Sequence, residues 1–281
     1  MRGGGYIALL NSDDVWLPTH LEEKAKYLDG HPECGAVFSF AMAIDEDGRV
    51  IEPSMQIFQQ PNRSREEWIL HFFTKGNCLC HPSMLIRKEV YEKVGFYRSS
   101  LRQLPDFEMW IRVVKEYDIH IIQKVQVKHR RCVRTMTNTS TDTTANNIRI
   151  ENESLLIVRH FFDEMDDELF KRTFGELFRN PEASTHEELT CEKFFLLLDG
   201  KAYSPQVTPL VAQEFFYNNL DSSSFLQLLK DKYRYTLDDY YKFCGKRYVY
   251  SLGAIAMTFV KRESPVYRFM KNLYKRKKLA K

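Results

Sequence analysis

The sequence lacks any hydrophobic run long enough to cross a membrane. Its longest uncharged, apolar-rich stretch, Tyr248–Val260, has 13 residues, and a spanning helix needs about 20. It also lacks a signal-peptide pattern, because Tyr6–Leu10 is too short for the apolar region of one. A disulfide framework is missing too. Six cysteines are scattered at positions 34, 78, 80, 132, 191 and 244, in a chain long enough to hold itself together without staples. Cys78-x-Cys80 has the wrong spacing for a zinc knuckle and no second pair, so all six read as reduced thiols. Nor is there a global excess of charge of one sign. The net charge of +3 is local: residues 261–281 hold nine basic side chains against one acid, Glu263, and the rest of the chain carries −5. A general nucleic-acid footprint is thereby excluded.

What is present is core material. Hydrophobic residues make up 43% and aromatic residues 14% of 281 residues, which excludes wholesale disorder. The first half alternates strand and helix signals. Tyr6–Leu10 is a continuous apolar run that predicts a buried strand. Pro18 suits the first turn of a helix reaching about Leu28. Gly35–Ile44 reads as a strand, and Asp47-Gly48 turns the chain into Arg49–Ile51. Ser64 and Glu67 form a capping-box pattern for a helix over Arg65–Lys75, with Gly76 as the stop. Leu79–Ile86 reads as a strand and Lys88–Val94 as a short helix ending at Gly95. Asp106–Tyr117 has an apolar side made of Phe107, Trp110, Ile111 and Val114. Ile119–Ile122 and Val125–His129 read as two more strands, and the polar stretch Thr135–Asn147 as a loop.

After residue 147 helical periodicity dominates, over 148–164, 166–179, 186–199, 206–218 and 222–232. The end, Pro265–Lys281, pairs an apolar stripe of Val266, Phe269, Met270, Leu273 and Tyr274 with a dense basic face. That is the composition of a helix lying in a membrane interface. The boundary falls near 145: an α/β part over 1–145, then a helical part over 146–281.

Two local features bear on chemistry. In Leu10-Asn11-Ser12-Asp13-Asp14, two carboxylates directly follow a strand. Ligands of open α/β sheets sit beyond strand carboxyl ends, and carboxylates there suit Mg²⁺ or Mn²⁺. The same residues also serve as turn and cap residues. Asp106 lies at a helix start, where it is either a cap or a general base facing a cleft. Arg87 and Lys88 are candidates for phosphate contact, with solvated charge as the plainer reading. Gly3-Gly4-Gly5 lacks the spacing of a phosphate loop.

The order of these segments resembles the family 2 glycosyltransferases, which have the GT-A fold. Where that family reads "G-x-Y-I-A-x-L-D-x-D-D-x-W-x-P", this chain has Gly5 through Leu10, then Asn11-Ser12-Asp13-Asp14-Val15-Trp16-Leu17-Pro18. Where the family reads "E-D-x-D/E-L-W-x-R", this chain has Pro105-Asp106-Phe107-Glu108-Met109-Trp110-Ile111-Arg112. His81-Pro82-Ser83 and Val94-Gly95-Phe96 lie between them, and the match runs over residues 3–131. The resemblance implies an α/β fold, namely the C-terminal half of a GT-A (Rossmann-like) glycosyltransferase domain, followed by an all-helical region. The family's opening strand and nucleotide-binding loop would precede Met1.

It also implies roles. Asp13 would bind the divalent cation, Mg²⁺ or Mn²⁺, and Asp106 would be the catalytic base of a one-step inverting transfer. Asn11, Asp14, His81 and Arg130 would surround the nucleotide-sugar and acceptor. Trp110 and Arg112 would hold the base helix to the sheet. The partners implied are a nucleotide-sugar donor and a glycan or lipid-linked acceptor in surface polysaccharide synthesis. Nucleic acid is not among them. The place implied is the cytoplasm, with peripheral contact to the inner face of the membrane through 265–281. Three positions depart from the family pattern: Asn11 in place of Asp, Pro105 in place of Glu, and Cys132 in place of His. The rival reading is a non-catalytic chain that binds a partner or a membrane. The enzyme reading requires Asp13 and Asp106 to open into one cleft.

Overall fold

The computed structural model describes residues 5–51, 56–131 and 141–245. Gly3 and Gly4, Cys132, the apolar run Tyr248–Val260 and the basic segment Pro265–Lys281 lie outside the described residues. The chain divides into two compact units, Met1–Thr139 with Glu164–Thr173, and Ser140–Asp163 with Phe174–Lys281. The architecture is mixed α/β followed by helices. The five described cysteines are free thiols. No described helix is long and apolar enough to cross a membrane.

The first unit is built on a five-stranded sheet. In chain order the strands are β1 (Tyr6–Ala8), β2 (Val15–Trp16), β3 (Cys34–Ile44), β4 (Leu85–Arg87) and β5 (Asp118–Arg130), and in space they run β1-β4-β3-β5-β2. β3 and β5 are parallel; the other pairings are antiparallel. β3 is central and covered on both faces, so nearly every residue in it is buried. Helix α1 (His20–Gly30) packs on one face, where Leu28, Cys34, Val37 and Leu85 form an apolar cluster. On the other face Phe38 meets Trp110 of α4 (Pro105–Glu116) edge-on, ring centroids 4.9 Å apart. Neighbouring residues of a strand point to opposite faces, which is why Val37 and Phe38 serve different layers. Each such buried side chain contributes about 1.5–3 kcal/mol. Helix α2 (Arg65–Lys75) packs beside α4, with Phe72 edge-on to Phe107 at 5.7 Å.

Several expectations need correction. The Tyr6–Leu10 run is not a buried strand. It is an edge strand of three residues paired only with β4, leaving Ile7 37% and Leu10 50% exposed. Leu79–Ile86 is not one strand either. Pro82 has no N–H for a ladder, and a 3-10 turn at His81–Ser83 precedes the short β4. Conversely, the two short strands expected around residue 123 are one strand. Ser39 pairs with Ile122 and Phe40 with Val125, so Gln123 and Lys124 form a bulge inside β5. The Ser64–Glu67 capping box is present in both directions, and Gly76 ends α2 at φ 88°. Gly95 ends α3 (Lys88–Val94) at φ 82°. Arg87 is neither a phosphate ligand nor a solvated charge. Its guanidinium donates to the carbonyls of Leu28, His31 and Cys34, closing the end of α1.

The described helices of the second unit are α5 (Thr144–Arg159), α7 (His186–Leu198), α8 (Thr208–Asn218), α9 (Ser223–Asp231) and α10 (Leu237–Gly245). Helix α6 (Asp167–Phe174) lies mostly in the first unit. Thr185 and Glu188 form a second reciprocal capping box, on α7. Phe194 is the hub of the core, with the rings of Phe195 and Phe216 each 5.3 Å away. Helix α10 is absent from the sequence expectation. Its start is marked by Thr236, whose hydroxyl and N–H pair with the Asp239 carboxylate.

Candidate active site

β1, β3 and β5 point the same way, because β1 and β3 are both antiparallel to β4 while β3 and β5 are parallel. Their carboxyl ends therefore share one end of the sheet. Asn11–Asp14 follows β1, Asp45 and Glu46 follow β3, and His129 and Arg130 close β5. The His81–Ser83 turn enters the antiparallel β4 at that same end. Trp16 Nε1 donates to the Pro82 carbonyl at 2.8 Å, fastening the loop after β1 to that turn.

Asp14 is the anchor of the loop. Its carboxylate accepts from the Arg130 N–H at 2.9 Å and the Asn11 amide at 2.8 Å, and pairs with His129 Nδ1 at 2.9 Å. Burial alone would raise this carboxyl, but His129, the Arg130 N–H and Asn11 outweigh it and hold it below its ordinary value. The Arg130 side chain ties strand ends together, donating to the carbonyls of Asp13 (2.9 Å), Asp45 (2.6 Å) and Glu46 (3.1 Å). Asp14 and Arg130 thus tie the loop after β1 to the ends of β3 and β5. They shape the loop that carries Asp13, whose side chain is half-exposed.

Asp106 lies in the first turn of α4, one residue after Pro105 opens the helix. It is not the cap residue; that position is Leu104. Asn77 donates to its Oδ2 at 3.1 Å. Burial raises the Asp106 carboxyl, against the opposing pull of His81, the Phe107 N–H and Asn77. Burial likewise lowers the His81 imidazole, with the Asp106 charge opposing. His81 Nε2 shares a 2.9 Å hydrogen bond with Tyr97 Oη, which accepts from Tyr91 Oη at 3.3 Å. Trp110 stands edge-on to His81 at 5.6 Å and to Phe38 of the sheet, as expected of a residue that holds the helix down. Arg112 works differently. It pairs with Glu108 and donates to the carbonyls of Val94, Gly95 and Phe96, fixing the segment that carries Tyr97.

The charges of both features reach one buried thiol. Cys80, raised mainly by burial, is raised further by the charges of Asp14 and of Asp106. The loop after β1 and the start of α4 thus converge on the turn that holds Cys80 and His81. Sequence reasoning missed Asn77 and Tyr97 as members of this site. Neither carries a local signal, since both reach it only through the fold.

Among the described residues, no three His, Cys, Asp or Glu side chains gather into a metal-binding cluster. The donors that fit a hard cation are the carboxylate of Asp13 and the side-chain carbonyl of Asn11, whose nitrogen is turned to Asp14. Such a pair suits an ion that takes most of its shell from phosphate oxygens and water.

No family model matches the chain. It is 30% identical over 128 residues to an uncharacterised glycosyltransferase of Methanocaldococcus jannaschii, a match covering 45% of this chain and 42% of that protein. It is 30% identical over 110 residues to the O-antigen biosynthesis glycosyltransferase WbnJ of Escherichia coli, covering 39% of this chain and 40% of that one. An uncharacterised glycosyltransferase of Rickettsia prowazekii is 21% identical over 250 residues, 86% of this chain and 73% of its own length. The chain is thus similar to glycosyltransferases, and it spans about two fifths of the length of the first two.

Proposed function

We propose that this chain carries the metal- and acceptor-side half of a family 2, GT-A-type glycosyltransferase. In this reading Asp106 is the general base. It takes the proton of the acceptor hydroxyl as that oxygen attacks the anomeric carbon of a nucleotide-sugar, inverting the configuration there. A carboxyl raised by burial is suited to this work, because a base is most effective when its pKa lies near the working pH. His81, oriented by its hydrogen bond with Tyr97, borders the acceptor. Asp13, with Asn11, holds Mg²⁺ or Mn²⁺. When bound, that ion neutralises charge on the departing diphosphate. The acceptor class is a glycan or lipid-linked glycan of surface polysaccharide assembly. The basic segment 265–281 keeps the chain near an anionic membrane face.

The observation that carries this reading is the convergence of the Asn11–Asp14 loop and Asp106 on the Cys80–His81 turn. The test is sugar transfer from a panel of nucleotide-sugars to lipid-linked acceptors in the presence of Mn²⁺. Asp106→Asn should lower transfer by about 10²–10⁴ with the circular dichroism spectrum unchanged. Product anomers should be opposite to the donor's. Equal transfer by wild type and Asp106→Asn would end the base assignment.

A further inference from the structure

The helical second unit holds a pocket that the transfer scheme does not use. It opens beside Arg179, the end of α7 and α10, with a volume of about 270 Å³. Ordinary ligand sites run from roughly 300 to 1,000 Å³, so this one has room for a single small ring rather than a nucleotide. The charges on its walls are already answered. Arg179 is bidentate on Asp199, Nε to Oδ2 at 3.1 Å and Nη2 to Oδ1 at 2.6 Å, and its guanidinium lies 4.0 Å from the Phe195 ring centroid. Lys242 pairs with Asp238 at 2.5 Å. Two cations thus face two acids, Asp199 and Asp239, with Asp238 alongside, and no surplus positive charge is left to draw an anion. What stays open is hydrogen-bonding capacity. Thr236 directs both its donors to Asp239 Oδ2, and among the described residues no donor meets Oδ1. Nor does any acceptor there meet Arg179 Nη1. The Tyr235 hydroxyl is buried without a partner among the described residues, a state that polar groups rarely keep without a reason.

We propose that this pocket is a binding site for one neutral sugar ring, carried by residues other than those of the candidate active site. Tyr235 and Phe243 give it aromatic surface, and Tyr235 is held edge-on to Phe195 at 5.6 Å, which fixes that wall. An aromatic face is electron-rich and attracts the edges of C–H bonds, and a pyranose presents such C–H groups on its faces. Its hydroxyls each donate and accept, so one ring can serve both the Asp239 carboxylate, which only accepts, and the Arg179 guanidinium, which only donates. A charged ligand would have to break an ion pair to gain a partner. A purely apolar one would leave the open polar groups unmet. The proposal goes beyond the transfer reading and does not rest on it.

The test is a set of ¹H–¹⁵N spectra of the intact chain titrated with methyl glucoside, N-acetylglucosamine, glucuronate or inorganic phosphate. At least one of the two neutral sugars should shift the backbone amides of Asp199, Tyr235 and Phe243, with a dissociation constant of about 1–10 mM. Phe243→Ala and Asp239→Ala should each weaken that binding by about tenfold or more, since either loses a wall or an acceptor worth about 1.4 kcal/mol. Should a variant fail to fold, the wild-type shifts decide alone. No shift at these amides with either neutral sugar up to about 50 mM would overturn the proposal. So would tighter binding of glucuronate or phosphate than of either neutral sugar, which would mark an anion site. Shifts confined to Asn77, Tyr97 and Asp106 would place the sugar in the candidate active site and also overturn it. No transfer enters these readouts. A chain that transfers nothing can still pass them, and an active transferase can still fail them.

Discussion

At the scale of single residues, two adjacent aspartates differ in their surroundings. Asp14 closes three hydrogen bonds and is 7% exposed, whereas Asp13 is half-exposed at the sheet end. Asp14→Ala strands the Arg130 N–H and the Asn11 amide in a buried setting. It should cost about 2–4 kcal/mol in urea unfolding, the range for losing hydrogen bonds to a charged group. Asp13→Ala should cost clearly less and act on metal-dependent function instead. If Asp13→Ala proves the more destabilising of the two, the assignment of anchor and ligand is reversed. The sequence shows two carboxylates after a strand but not which is buried. That choice is made by His129 and Arg130, more than a hundred residues further on. Separations of 16 and 29 residues likewise hide Tyr97 and Asn77, because nothing local to either residue marks it as a partner of His81 or Asp106.

At the scale of elements, what was legible in the sequence was what local chemistry decides. The α2 capping box, the glycine stops at Gly76 and Gly95, and the central strand β3 are written in neighbouring residues. Pairing partners are not local. That is why an apolar run became the exposed edge strand β1, and why two strands separated by Gln123 and Lys124 became one strand with a bulge. Gly35 shows how close the packing at one strand start is. A Cβ placed there would lie 2.7 Å from Tyr117 Cβ, at the end of α4, and 3.0 Å from a Val90 methyl of α3. Gly35→Ala must therefore push α4 or β3 aside. A cost of about 1–3 kcal/mol is expected for such overpacking, measurable as a lower urea midpoint. Because α4 carries Asp106, the same variant should disturb the site without touching it. A Gly35→Ala protein as stable as wild type would mean that the α4–β3 contact is looser than these distances describe.

At the scale of the whole molecule, the buried titratable groups set the pH at which the chain is most stable. His20 and His71 are pushed from 6.5 down to about 3 and about 4, in each case first by burial. Below pH 6.5 the unfolded chain takes up protons that the native chain refuses, so stability falls with acidification. Lys24, lowered from 10.5 to about 7, acts likewise over a higher window. Between pH 7 and 10.5 the unfolded state holds the extra proton, and stability rises with pH. The slope is at most about 1.4 kcal/mol per pH unit for one proton. The buried thiols of Cys34, Cys78, Cys80 and Cys191 set the limit on the alkaline side. Burial raises each from 9.0. Above pH 9 the unfolded chain loses protons that the native chain keeps, and stability turns downward. Asp106 and His81 shift in opposite directions, so their contributions to the slope have opposite signs. Urea midpoints measured across pH should therefore peak at roughly pH 8–9 rather than at neutrality. The rise from pH 7 to that peak belongs mainly to Lys24. Lys24→Met should flatten this limb while leaving both the acid loss below pH 6.5 and the alkaline loss above pH 9 in place. A rise that survives in Lys24→Met would place the titrating group elsewhere.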